Sequence, residues 1–166
     1  MMPNMFIIAL AALVPLIVGF IWYSKKVFGN AWITASGLTE EKLQGANMPI
    51  ILILSYVFGL MLAMALLPIV IHQAHIMSIL MNEPGIKDVS SEVNTMYTEF
   101  MAKYGTNFRT FKHGVFHGIL AAIFIGLPIV GTSALFERRG FKYIAIHVGY
   151  WIVTMGIMGG IICQFS

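Results

Sequence analysis

Charge is scarce in this chain. Asp, Glu, Lys and Arg make up 10% of its 166 residues, against about a quarter in soluble domains. Cysteine is nearly missing: Cys163 stands alone, which excludes an internal disulfide and a multi-cysteine metal site. There is no phosphate-cradling glycine loop, no Gly-x-Ser-x-Gly elbow and no His-Glu-x-x-His helix, so the usual signatures of nucleotide, serine and zinc-protease chemistry are missing. Neither an enzyme nor a catalytic residue is expected on these grounds.

Apolar residues fill the space that charge leaves. They are 58% of the chain, and the mean hydropathy is +0.84. The charged residues fall into three short segments, Lys25–Lys42, Glu83–Lys112 and Glu137–Lys142, and the four stretches between and around them carry none. A bilayer core takes about 20 apolar helical residues to cross, so each stretch suffices for one passage. Lipid offers no hydrogen bonds to an open backbone, and no alternating strand pattern appears, so the passages are helical. The fold class expected is therefore all-α, a polytopic membrane protein whose four helices form a single bundle over residues 1–166. The spans are placed at about 5–24, 48–81, 113–135 and 143–163. The second is read as one long helix that overruns the bilayer or bends at Pro68. The first lacks a positive leader and a small-residue cleavage site, so it is expected to stay as a membrane helix.

Orientation follows the basic residues near helix ends. Lys25, Lys26, Lys42, Arg138, Arg139 and Lys142 lie in the first and third loops, and outnumber Lys87, Lys103, Arg109 and Lys112 in the middle loop. This bias predicts loops 25–47 and 137–142 in the cytoplasm, with both termini and loop 82–112 outside. Trp22, Tyr23, Trp32, Tyr143, Tyr150 and Trp151 would form an aromatic belt at the cytoplasmic side. The positives flank helices, so the net charge of +3 calls for no nucleic acid; the expected partner is the lipid bilayer. In the middle loop Val89, Val93, Met96, Tyr97, Phe100 and Met101 recur at helical spacing, predicting an amphipathic extracytoplasmic helix. Thr39, before Glu40 and Glu41, is a candidate helix cap.

Four sets of residues could carry function. His72 and His75 are i,i+3 in the second span, and His113 and His117 are i,i+4 in the third. Each pair shares a helix face, and under the topology above all four lie on the same side of the membrane. Such pairs can bind Zn, Cu or Fe, or a haem through axial imidazoles. Interfacial histidines also bond water, backbone or headgroups, and no cofactor is the primary expectation, with Zn, Cu or haem as the alternative. His147 shares a face with Tyr150, Trp151 and Thr154, as a proton path or an interhelical hydrogen bond. Met61 with Met64 and Met155 with Met158 place thioethers on helix faces, which suit copper or simple packing. Gly114, Gly118, Gly156 and Gly160 form two small-x-x-x-small patterns for close helix packing, within a monomer or between subunits.

Pro15-Leu16-Ile17-Val18-Gly19 and Pro128-Ile129-Val130-Gly131 are each followed by an aromatic and a basic pair, the pattern of an internal repeat. Ile21-Trp22-Tyr23-Ser24 with Phe28-Gly29 and Trp32, then Gly37-Leu38-Thr39-Glu40-Glu41, and later His117-Gly118, Leu127-Pro128-Ile129-Val130-Gly131-Thr132, Phe136-Glu137-Arg138-Arg139 and Gly149-Tyr150-Trp151 together resemble one bacterial membrane family, domain of unknown function 1761. The resemblance implies a small four-helix protein of the bacterial cytoplasmic (inner) membrane and brings no activity and no site residues. The leading expectation is a non-enzymatic protein acting as a homo-oligomer or as an accessory subunit of a membrane complex. A small-solute or ion transporter or channel is the alternative, and a metal- or haem-binding protein using His72, His75, His113 and His117 is the second.

Overall fold

The structure is a computed structural model that describes residues 3–166, Glu40 by its backbone alone. Met1 and Met2, the start of the first charge-free stretch, and any cap contribution of the Glu40 carboxylate lie outside the described residues. The described chain is 75% helical and has no strand. Four helical passages are long and apolar enough to cross a membrane: Met5–Trp22, Met48–Val70, Phe111–Phe136 and Phe141–Phe165. The all-α, four-span architecture expected from the charge pattern is the one observed.

The first passage is two helices, α1 (Met5–Ala11) and α2 (Val14–Trp22), joined at Ala12 and Leu13. Pro15 stands in the first turn of α2, where its missing N–H costs nothing. At the joint the Leu13 N–H bonds the Leu10 carbonyl, and the Tyr56 hydroxyl donates to the Ala9 carbonyl at 3.3 Å. Two short helices, α3 (Gly29–Ser36) and α4 (Glu40–Gln44), make the first loop. Thr39 caps α4 by accepting from the Lys42 N–H.

The second passage differs from the expectation of one helix to Met81. Helix α5 (Met48–Val70) ends at Ile71, which is extended at φ −116° and ψ 94°, and α6 (Gln73–Leu80) begins anew after His72. Pro68 lies inside the last turn of α5, but a proline bends a helix and leaves it continuous. The interruption is made by Ile71, and the imidazole of His75 steadies it: Nε2–H donates to the Pro68 carbonyl at 2.9 Å.

The middle loop holds α7 (Glu92–Tyr104), capped by the Ser91 hydroxyl, which accepts from the Asn94 N–H. Val89 lies before this helix and is exposed, and α7 itself has no buried residue. The third passage is α8 (Phe111–Ala121), a π-helical segment (Ala122–Gly126) and α9 (Leu127–Phe136). Pro128 has no N–H to give the preceding turn, and the wider π turn, in which the Leu127 N–H reaches back to the Ala122 carbonyl, accommodates it. The fourth passage is α10 (Phe141–Phe165).

Helix α10 is the centre of the bundle. Ile8 of α1, Leu66 of α5, Ala122 of the π segment and Met158 and Ile162 of α10 are all fully buried in one core. Its tightest seam runs along α8. A Cβ added at Gly114 would strike the Gly159 carbonyl, and one at Gly118 the Met155 carbonyl. Lipid gives apolar helices no drive to associate, so this backbone-to-backbone approach is what holds the pair. Gly156 meets Ile119, and Gly160 meets the Phe111 ring. All four packing glycines are thus used between helices of one chain.

Candidate metal centre

Three of the four histidines singled out in the sequence meet at the α8 N-terminal end of the bundle. The Thr110 hydroxyl accepts from the His113 N–H and caps α8. One turn of helix then stacks His113 and His117 on a single face, with ring centroids 4.4 Å apart. His72 arrives from the break between α5 and α6. Its ring meets His113 at 5.0 Å and His117 at 4.8 Å, edge-on to both. One ring nitrogen from each of the three lies within 4.8 Å of the others.

The ring spacing is that of imidazoles around a single small ion, and the nitrogens, up to 4.8 Å apart, need to draw together to about 3.3 Å to bind one. With metal–nitrogen bonds of about 2 Å, imidazoles at tetrahedral angles have centroids roughly 5 Å apart, and at right angles roughly 4.5 Å. Axial haem ligands stand trans, with centroids about 6 Å apart at the same bond length. Every pair here is closer than that. The centre is also short of partners of its own: His113 Nε2 is buried and makes no hydrogen bond among the described residues. Imidazole nitrogens suit Zn, Cu, Fe and Ni.

Neighbouring side chains hold the three imidazoles in place. The Phe108 ring lies 5.4 Å from His113, and Phe116 lies 5.4 Å from His117. Phe108 adopts φ +61°, a left-handed conformation rare for an aromatic residue and therefore imposed by its surroundings. The Gln73 side-chain amide, next to His72, donates to the Tyr104 and Asn107 carbonyls at 3.3 and 2.7 Å and ties the break to the loop before α8. Arg109 bonds the carbonyls of Cys163 and Ser166, anchoring that loop to the end of α10.

His75 does not join the centre, because its Nε2 is taken up at Pro68. Cys163 is buried, its thiol donating to the Val70 carbonyl at 3.2 Å. Met61 and Met64 are exposed on α5, whereas Met155 and Met158 lie in the core. His147 sits at the opposite end of α10, where its Nδ1 shares a 3.0 Å hydrogen bond with the Tyr23 hydroxyl. The imidazole tautomer decides which of the two donates: the Tyr23 hydroxyl to a bare Nδ1, or Nδ1–H to the hydroxyl oxygen. Trp22 Nε1–H donates to the Ile146 carbonyl beside it, so the aromatic stripe is a set of interhelical fasteners. Between the two ends the α10 core is apolar apart from Thr154.

Phe108 and Gln73 carried no signal in the sequence; a positive φ and a loop contact leave no periodic trace. The comparisons add the family. A family described as Protein of unknown function (DUF1761) matches residues 6–163.

The chain belongs to this family.

The matched region includes His72, His113 and His117, and the resemblance read from its motifs is confirmed across nearly the whole chain. Neither a curated protein nor a solved structure matches it, so this DUF1761 member takes its fold and its candidate centre from the structure alone.

Proposed function

We propose that this DUF1761 protein is a metal-binding membrane protein in which His72, His113 and His117 hold one divalent first-row transition ion, Zn or Cu foremost. The convergence of three imidazoles from a helix break and a neighbouring helix carries the reading. Three neutral nitrogen donors are the ligand set such ions take. We read the chain as non-enzymatic on the ground of its sequence, which carries none of the familiar catalytic motifs. The expectation of a four-histidine set is narrowed to three, and the spacing favours an ion over a haem.

The cellular setting is part of the same proposal. Arg139 Nη1–H donates to the Ser36 carbonyl at 2.7 Å, which joins the first and third loops on one side of the bundle. That side is rich in Lys and Arg, and the positive-inside rule makes it cytoplasmic, in the inner membrane of a bacterium. The histidine centre and α7 then face outward, with α7 lying at the membrane surface. Most of α5 is exposed, its buried residues being Gly59, Ala63, Leu66 and Val70. Lipid, a second copy or a larger complex covers that face. Transport through one subunit gains no support from a core in which Leu66, Met158 and Ile162 are fully buried.

The test is metal content in protein purified without chelators in mild detergent. Near-stoichiometric Zn or Cu, lost in His117→Ala and retained in His75→Ala, supports the proposal. A metal-free protein that also fails to take up Zn or Cu in titration overturns it.

A further inference from the structure

Resting on that centre, we infer that its ion keeps an open coordination position that takes a small monoanion, entering through the cavity beside His72. Charge gives the first argument. Three neutral imidazoles leave a divalent ion with its full charge of about +2, which attracts an anion as its further ligand. No Asp, Glu or Cys among the described residues joins the histidines. The neutralising ligand therefore comes from outside the chain.

Geometry gives the second. A three-imidazole set occupies one face of the ion and leaves the opposite side to an exogenous ligand. A cavity of about 330 Å³ abuts the centre, with His72, Gln73, Ile76, Tyr104 and Phe108 in its wall. His72 is exposed, and Phe108, held at φ +61°, is shared between the cavity and His113. The space is an open groove whose wall carries no acidic residue, so nothing in it repels an approaching anion such as hydroxide or azide.

The experiment uses the full-length protein in detergent, loaded with Co²⁺ as a coloured substitute and titrated with azide. Visible ligand-field bands that appear with Co²⁺ and are absent in His117→Ala report the centre itself. A saturable azide-dependent shift of those bands, weakened in Ile76→Trp, which narrows the groove beside His72, supports the inference. Bands that azide leaves unchanged overturn it while the metal-binding reading stands. A full azide response in Ile76→Trp overturns the cavity as the route. If no Co²⁺ bands form in the wild-type protein, the metal-binding reading fails and this inference fails with it.

Discussion

The imidazole of His72 stands edge-on to that of His117, with ring centroids 4.8 Å apart and planes at 86°, although two helices, α6 and α7, and their loops separate them in the chain. His72 reaches this position directly after Ile71, the extended residue that ends α5. The first prediction concerns this pair. Replacing either with Ala leaves two ligands and lowers metal affinity by more than the roughly 10–100-fold typical of changes to residues behind a ligand. Competition with a metal-sensitive dye measures it.

His75→Ala separates the ligand role from the structural one. Its Nε2 serves the Pro68 carbonyl, so the variant keeps its metal affinity within a few-fold and loses about 1 kcal/mol of stability. Parallel thermal unfolding and metal titration read both. A loss of metal equal to that of His117→Ala would place His75 in the centre after all.

The glycine seam allows a sharper test. In Gly118→Leu the side chain has only the Met155 carbonyl to enter, so α8 and α10 separate and the protein unfolds or aggregates; Gly118→Ala costs on the order of 1–3 kcal/mol. Size-exclusion chromatography and unfolding in detergent follow this. A stable particle of altered oligomer size would instead show the seam to be shared between subunits.

At the other end, Tyr23→Phe removes the hydroxyl that His147 Nδ1 bonds. The expected loss is about 1 kcal/mol of stability, with metal content unchanged. A drop in bound metal would reveal coupling between the two ends of α10.

Cys163 is fully buried, so the wild-type protein resists a membrane-impermeant thiol reagent. Cysteine introduced at Asp88 should react from outside intact cells, and cysteine at Glu41 only after lysis. The reverse pattern inverts the proposed orientation.

The packing glycines and the His113–His117 pair were legible beforehand, because both follow from helical periodicity within one uninterrupted stretch. Gly114 and Gly118 recur every four residues, and so do the two histidines. What could not be read was the partner of each face. His72 and His75 have the same kind of spacing, yet one is a candidate ligand and the other caps a broken helix. Periodicity relates two side chains only while the backbone between them and the bundle stays regular, and Ile71 ends that regularity. Phe108 escaped for a similar reason, since its place depends on a single left-handed dihedral angle in a loop.

By itself, then, the sequence determined that this chain crosses a membrane as four helices. Charge excludes a segment from lipid and an open backbone cannot remain there, and both constraints act locally along the chain. The tertiary structure alone decided which histidines meet, which glycines touch and where the second passage stops. Those outcomes depend on close contacts between distant segments, set by how backbones approach one another and by where one extended residue interrupts a helix.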